Sequence, residues 1–259
     1  MSNIFYLIRK KRISAKAGIM IMTTALIFAG GAGKRMNSRS KPKQFLEMHG
    51  KPIIIYTLEH FEYHEEVDGI VIVCIKEWIT ELKGLLKRYG ITKVMKIVPG
   101  GDTGHDSIYN GLLSMTDSMK KEDIVLIHDG VRPLITRELI SENISAVKKY
   151  GSAITAEPVR ESVVRSIDGK NISDVPVRDE MYVAKAPQSF CFGEILGLYE
   201  RACADGIKTI DSSHLCSIYH IPMHMVGSTK NNIKITEPAD FYIYRALYEA
   251  LEGQQVFGI

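Results

Sequence analysis

The chain has 259 residues, 45% of them apolar, enough to bury a core as one large domain or two modest ones. Its 33 basic and 30 acidic residues leave a net charge of +3, too balanced for a general nucleic-acid or membrane polycation, so any anion site must be local. Four scattered cysteines (Cys74, Cys191, Cys203, Cys216) form no Cys-x-x-Cys pair and argue for a reducing cytoplasm, and no apolar run approaches the roughly 20 residues that span a bilayer.

Residues 1 to 22, with "RKKR" at 9 to 12, lack the apolar region that follows the charge in a signal peptide. They read as a disordered extension or as sequence upstream of a true start at Met22, which directly precedes "TTALIFAGG". From residue 23 onward, short apolar runs alternate with longer segments of helical period, the signature of a parallel sheet with helices on both faces. Strands are expected at 24 to 29, 69 to 75, 93 to 98, 123 to 127 and 152 to 157. Between them lie helices: "PIIIYTLEHFEYH" with Pro52 in its first turn, "EWITELKGLLKRYG" closed by Gly90, "DSIYNGLLSM", and "TRELISENISAVKKYG" capped by Thr136 and stopped by Gly151. Ligands in such sheets bind beyond the carboxyl ends of the strands, which puts the loops at 30 to 43, 99 to 106 and 128 to 133 on one rim.

After residue 157 the rhythm changes. "ESVVRSIDGKNISDVPV" holds two short alternating segments around Asp168-Gly169, a hairpin signal too small for a domain. It reads as an arm, about 158 to 185, projecting from the single domain 23 to 259, and an arm of this kind is usually a dimer contact. "FGEILGLYERACADG" and "EPADFYIYRALYEALEG" are further helices, the second preceded by the strand-like "NIKIT".

The stretch "ALIFAGGAGKRMNSRSKPKQF" at 25 to 45 sets three glycines and five cations behind an apolar strand. A Walker loop would need glycine at Phe28 and Ser or Thr at Arg35, and a dinucleotide fingerprint would need glycine at Met36. Gly30, Gly31 and Gly33 let the backbone approach a ligand, and Lys34, Arg35, Arg39, Lys41 and Lys43 follow without an acid from 34 to 43. The combination describes a triphosphate cradle; a solvated basic turn is the alternative.

With this loop, "GGD" followed by Ser107, "HDGVRP", "VPVRDEMY", "APQSF" and "NIKIT", the chain from about 23 to 250 resembles the CTP-dependent cytidylyltransferases that act on 2-C-methylerythritol 4-phosphate and ribitol 5-phosphate. "PVRDEMY" with "PQSF" looks closer to the ribitol-phosphate branch. The resemblance implies a doubly wound, mostly parallel Rossmann-like nucleotide-binding sheet with a projecting β-arm. It implies an enzyme, homodimeric through that arm, that moves CMP from CTP to a polyol phosphate and releases pyrophosphate with the help of Mg²⁺.

By the same resemblance, Ala29, Gly30, Gly31 and Gly33 lie against the triphosphate, and Arg35, Lys43 and Lys234 act on it as catalytic cations. Gly100, Gly101, Asp102 and Ser107 lie at the base, Asp129 holds the metal, and Arg132, Ser162, Arg178 and Asp211 meet the acceptor, Arg178 from the neighbouring subunit. His128 supports the loop rather than acting as a base. Three positions depart from the family pattern: Gly104 where Arg is common, and Ala186 and Ile210 where Thr is common. Two hydroxyls are thereby missing from the acceptor side.

Three other readings stand beside this one. His214, Cys216, His220 and His224 in "HLCSIYHIPMH" are zinc-ligand types, but they span a helix and a following strand rather than a tight knuckle. A glycosyltransferase on a related sheet would often show Asp-x-Asp, which is absent. A non-catalytic nucleotide-binding homologue is motivated by Gly104, Ala186 and Ile210 and opposed by Arg35, Lys43, Asp129 and Lys234.

Overall fold

A computed structural model of the protein describes residues 21–30 and 41–257. Seven strands form the main sheet: β1 (Thr23–Ala29), β4 (Gly69–Cys74), β5 (Val94–Pro99), β6 (Ile124–Asp129), β7 (Ser152–Pro158), β8 (Tyr182–Cys191) and β9 (Met225–Gly227). Two-residue strands β2 (Glu47–Met48) and β3 (Lys51–Pro52) pair with each other outside it. The sheet order is β5-β4-β1-β6-β8-β7-β9, parallel throughout except that β8 runs antiparallel to both β6 and β7.

The period-2 alternation of the strands builds two cores. On β1, Ala25, Ile27 and Ala29 face one side and Leu26 and Phe28 the other; on β4, Ile70 and Ile72 oppose Val71 and Val73. The first side is covered by α1 (Ile53–Glu62), α2 (Ile79–Arg88) and α4 (Arg137–Tyr150), through Leu58, Leu82 and Ile140. The second is covered by α3 (Gly104–Leu113), α5 (Phe192–Ala204) and α6 (Ser212–Ile218), through Leu112, Ile195 and Leu215. A last helix, α7 (Pro238–Phe257), buries Tyr244 against Tyr56 and Val131 at the rim.

Local signals act as the sequence suggests. Thr136 accepts a hydrogen bond from the Leu139 amide at the start of α4, and Gly151 ends it in the left-handed region at φ 83°. No helix among the described residues is long and apolar enough to cross a membrane.

Three elements differ from expectation. The ten-residue β8 is buried from Lys185 to Phe190 and carries Pro187 in its middle, so it lacks the alternation that marks a strand. The arm makes one isolated antiparallel bridge, Arg165 to Asp174, instead of a hairpin. Its turn is held by the Asp168 carboxylate, which accepts the Lys170 and Asn171 amides, but no third strand supports the pair. "NIKIT" is not a strand; it is tied to the sheet by the Ile235 amide donating to the Val131 carbonyl at 3.0 Å. The histidines and Cys216 of "HLCSIYHIPMH" form no metal cluster, and among the described residues no group of three His, Cys, Asp or Glu could hold a metal ion.

Asn143, fully buried in α4, ties that helix to the sheet. Its amide donates to Thr155 Oγ1 at 3.1 Å, and its Oδ1 accepts from Ser189 Oγ at 3.0 Å, joining β7 and β8. Replacing Asn143 by Leu orphans both hydroxyls, at about 1–3 kcal/mol each. The expected outcome is a lower urea midpoint with an unchanged m-value.

Candidate active site

Asp129 is the last residue of β6, level with Phe28 of β1, so the sheet delivers its carboxylate to the carboxyl-end rim. Arg132 follows one tight turn later; its Nε donates to Asp129 Oδ2 at 2.8 Å and its Nη1 to the Asn232 carbonyl at 2.9 Å. Lys234 closes the other side, with Nζ 2.5 Å from Asp129 Oδ1 and 5.6 Å from the centre of the Phe28 ring. Burial pushes the Asp129 carboxyl up, but Lys234 and then Arg132 outweigh it and hold it below the usual carboxylate range. The side chain of Lys234 is 37% exposed and that of Asp129 only 5%, so Lys234 is the member of the cluster that faces solvent.

His128 lies under this cluster, fully buried. Its Nε2 lies 3.3 Å from the Arg132 carbonyl, and burial pushes its pKa down to about 3, so the ring is neutral and Nε2–H donates. A neutral, enclosed ring packed on Phe61 supports the loop.

The second part of the rim is made of backbone. A Cβ on Gly100 would sit 3.3 Å from Gly30 Cα and 3.2 Å from Ser107 Oγ, so the turns after β1 and β5 pass close enough that an added side chain would have to push its neighbours aside. Ser107 Oγ accepts the Gly101 amide at 3.1 Å and donates to the Thr103 carbonyl at 2.8 Å, which engages both the hydroxyl proton and that amide inside the protein. Asp102 stands exposed beside them, and a Cβ on Gly104 would meet open space. Ala29, 5% exposed, presents its carbonyl to the Gln44 amide at 2.5 Å.

That contact anchors Lys43, in the 3-10 turn Lys43–Phe45, beside the end of β1. The Asp240 carboxyl at the start of α7 is pushed up by burial but held low overall by the Thr236 hydroxyl and amide, the Glu237 amide and the Lys43 charge. Thr236, two residues beyond Lys234, is bonded to Asp240, so Asp240 links the segment that carries Lys234 to the charge of Lys43. Gly31, Gly33 and Arg35 lie outside the described residues.

The acceptor-side residues are dispersed. Asp211 caps α6, its Oδ1 accepting the His214 amide and Ser213 Oγ, each at 2.8 Å. Ala186 is buried, and Ile210 is 85% exposed. Ser162 and Arg178 stand exposed on the arm; Arg178 reaches Asp179 at 3.4 Å, and neither residue hydrogen-bonds to the Asp129 cluster.

Three residues that hold the site were not singled out by sequence reasoning. Asn232, 1% exposed, donates from Nδ2 to the Ala186 carbonyl at 2.7 Å while its own carbonyl takes Arg132. One residue thus joins "HDGVRP", "APQSF" and "NIKIT", and its signal is the amide that opens the last motif. Gln44 lies inside "KPKQF", masked by the cations beside it. Lys185 pairs with Glu157 at 2.5 Å, their side chains 9% and 15% exposed, and its signal is a lone cation within the buried run of β8.

A mostly parallel sheet whose rim gathers a clamped carboxylate, converging lysines and close glycine turns is that of a nucleotide-handling α/β protein. Comparison with known proteins narrows the class. The model of the family "IspD: 2-C-methyl-D-erythritol 4-phosphate cytidylyltransferase" matches residues 23–249, and the chain belongs to this cytidylyltransferase family. A ribitol-5-phosphate cytidylyltransferase of Streptococcus agalactiae is 46% identical over 239 residues, covering 92% of this chain and 100% of that protein. A 2-C-methyl-D-erythritol 4-phosphate cytidylyltransferase of Clostridium botulinum is 36% identical over 233 residues, covering 90% of this chain and 100% of that one. The crystal structure of 4-diphosphocytidyl-2C-methyl-D-erythritol synthase from Anaerococcus prevotii superposes with a TM-score of 0.76 at 28% identity, covering 88% of this chain and 96% of that one.

The cluster sets an acid limb for stability. The folded His128 pKa is depressed, so below pH about 6.5 the unfolded chain takes up a proton that the folded chain refuses, and stability falls until pH reaches about 3. Asp129, held low, contributes stability above the ordinary carboxylate range and loses it only at still lower pH. Urea titrations between pH 7 and 4 should show a slope approaching about 1.4 kcal/mol per pH unit from His128. The slope should shrink by that amount in His128→Asn; an unchanged acid limb would show that His128 is not held neutral.

Proposed function

We propose that this cytidylyltransferase uses ribitol 5-phosphate as acceptor and makes CDP-ribitol, a precursor for a wall or capsule polymer. The observation that carries this reading is the 46% identity to a ribitol-5-phosphate enzyme across that protein's whole length, against 36% to a methylerythritol-phosphate enzyme. A phosphate oxygen of the acceptor forms a bond to the α-phosphorus of CTP in line as the bond to the bridging oxygen breaks. Pyrophosphate leaves with that electron pair. The attacking phosphate is already ionised, so no strong base is required, which agrees with a neutral His128.

Both reactants are anions, so the protein's task is to bring them together and offset charge that builds on the α-phosphate. Lys234 is the exposed partner of Asp129 and is poised to exchange that contact for a phosphate oxygen. Lys43 enters from the Ala29 side, and Arg35 is assigned to the triphosphate with it. Arg132, more enclosed, would present its remaining guanidinium hydrogens to the acceptor phosphate. Backbone at Gly30, Gly31, Gly33, Gly100 and Gly101, with Asp102 and Ser107, would receive the nucleotide.

Asp129 is ionised, and each of its oxygens keeps a lone pair beyond the one its cation engages. It therefore fits Mg²⁺ as a single carboxylate ligand, with phosphate oxygens and water supplying the remaining places. The metal would neutralise triphosphate charge.

The arm is assigned to a homodimer. Val164, Ile167, Ile172, Val175 and Val177 expose 52% to 85% of their surface there, an apolar strip that a second copy would cover. Ser162 and Arg178 would then meet the acceptor in the neighbouring copy's site. Free Cys74, Cys191, Cys203 and Cys216 suit a cytoplasmic setting.

The methylerythritol-phosphate reading keeps one argument, the description of the family model that matches residues 23–249. Pyrophosphate release from CTP, measured with each polyol phosphate, decides between them. Ribitol 5-phosphate should give the larger kcat/KM; a preference for 2-C-methylerythritol 4-phosphate overturns the proposal, and failure of every acceptor to release pyrophosphate while CTP still binds leaves a non-catalytic homologue. With the working acceptor, Lys234→Ala and Lys43→Ala should each lower kcat by about 10²- to 10³-fold. Ile167→Asp together with Val175→Asp should shift the protein to monomer in sedimentation and raise the acceptor KM, because Arg178 is then withdrawn.

A further inference from the structure

We propose that His105 is a positioning residue through which the nucleotide side of the site sets the acceptor side. The inference rests on the acceptor placement at Asp211 given above. His105 lies in the first turn of α3, 4% exposed, its ring 4.6 Å from the Tyr199 ring. The Thr209 amide donates to its Nδ1 at 3.3 Å, which fixes the proton of the neutral ring on Nε2. Thr209 Oγ1 in turn donates to the Asp211 carbonyl at 2.9 Å. Asp211 caps α6 and receives Ser213 Oγ, and the Ser213 amide donates to Gln188 Oε1 of β8 at 2.9 Å.

The same turn of α3 holds the nucleotide side. Thr103 and Asp106 form a reciprocal capping box, and Ser107 Oγ accepts the Gly101 amide. Asp106 also receives Lys208 Nζ at 2.9 Å, a second strap to the loop that carries Asp211, though an exposed one. That exposed ion pair contributes little. The buried His105–Thr209 contact is the one whose loss leaves a donor unsatisfied. The loop 206–211 has no strand or helix of its own; its start is held by the Ile207 amide donating to the Ala202 carbonyl at 2.8 Å, and its Asp211 end rests on His105 through Thr209.

Asn can replace the Nδ1 acceptor with its own Oδ1, whereas Leu cannot. In steady-state pyrophosphate release with ribitol 5-phosphate, His105→Leu should raise the acceptor KM about 3- to 10-fold, the worth of one buried hydrogen bond. The CTP KM should stay within about twofold, and His105→Asn should recover most of the loss. Partial unfolding would lower kcat through the active fraction and leave both KM values alone. Should His105→Leu not fold, Thr209→Val, which keeps the amide but deletes the link to Asp211, should give the same acceptor-only shift. Asp211→Asn is the reference arm. If Asp211→Asn raises the acceptor KM and neither His105→Leu nor Thr209→Val does, the coupling is overturned while the acceptor placement stands. If Asp211→Asn has no effect, the placement fails and the inference fails with it. Equal rises in both KM values would also overturn it.

Discussion

The site depends on one electrostatic constraint: a carboxylate buried at the end of a central strand must be matched by cations that the rest of the chain delivers. For Asp129 the burial cost is the largest single contribution, and the charges and hydrogen bonds of Lys234 and Arg132 together outweigh it. Arg132 comes from the next turn of the same strand, but Lys234 comes from about a hundred residues further on. The fold therefore has to bring the 228–236 segment back across the rim. It does so with single hydrogen bonds to Val131, Ala186 and Arg132 rather than with a strand ladder. Two cations against one carboxylate leave one net positive charge before substrate binds. That is a modest field, enough to attract anions without holding an unpaired buried charge.

The antiparallel β8 is what makes this return possible. Inserted between β6 and β7, it runs opposite to its neighbours, so its beginning, not its end, lies on the ligand rim. Gln188 therefore pairs with Ile127 near the end of β6, and Ala186, just before it, meets Asn232, which also takes Arg132. The arm occupies the excursion between β7 and β8 and leaves the rim at the same point. The arm and the start of β8 thus share one origin in the topology.

Much of the fold was legible in the sequence, and the exceptions share a cause. Strands such as "ALIFA" and "GIVIVC" declare themselves by apolar content, and α4 by Thr136 and Gly151, because those signals are local. The β8 strand was not legible because burial on both faces removes its alternation and Pro187 argues against it. "NIKIT" has strand composition but is tied across the rim to Val131 by one backbone hydrogen bond rather than paired along a strand. Asp129, Arg132 and Lys234 were legible as residues, through their motifs, but not as one cluster, since nothing local indicates that a lysine will meet an aspartate so far back in the chain. Asn232, Gln44 and Asn143 were missed for a related reason. An amide in a polar stretch looks like surface, and only tertiary packing reveals that its hydrogen bonds are internal.

The two halves of the site are built from different materials, and this bears on how one fold could serve different acceptors. The part assigned to the nucleotide is backbone against backbone: Gly30 lies close on Gly100, and a Cβ on Gly101 would clash with Asp106 in the first turn of α3. A change there disturbs the packing of the sheet itself. The residues assigned to the acceptor stand on a helix cap, a strand start and an exposed arm, with Ala186 buried and Ile210 exposed among them. Ile210, 85% exposed, can change in size or polarity at little cost to folding, whereas Asp129 cannot change without leaving Arg132 uncompensated. On the proposed assignment, selectivity for the polyol resides in residues that the core does not need. On the same assignment, the chemistry at the α-phosphate rests on the Asp129 cluster, whose buried carboxylate must stay paired.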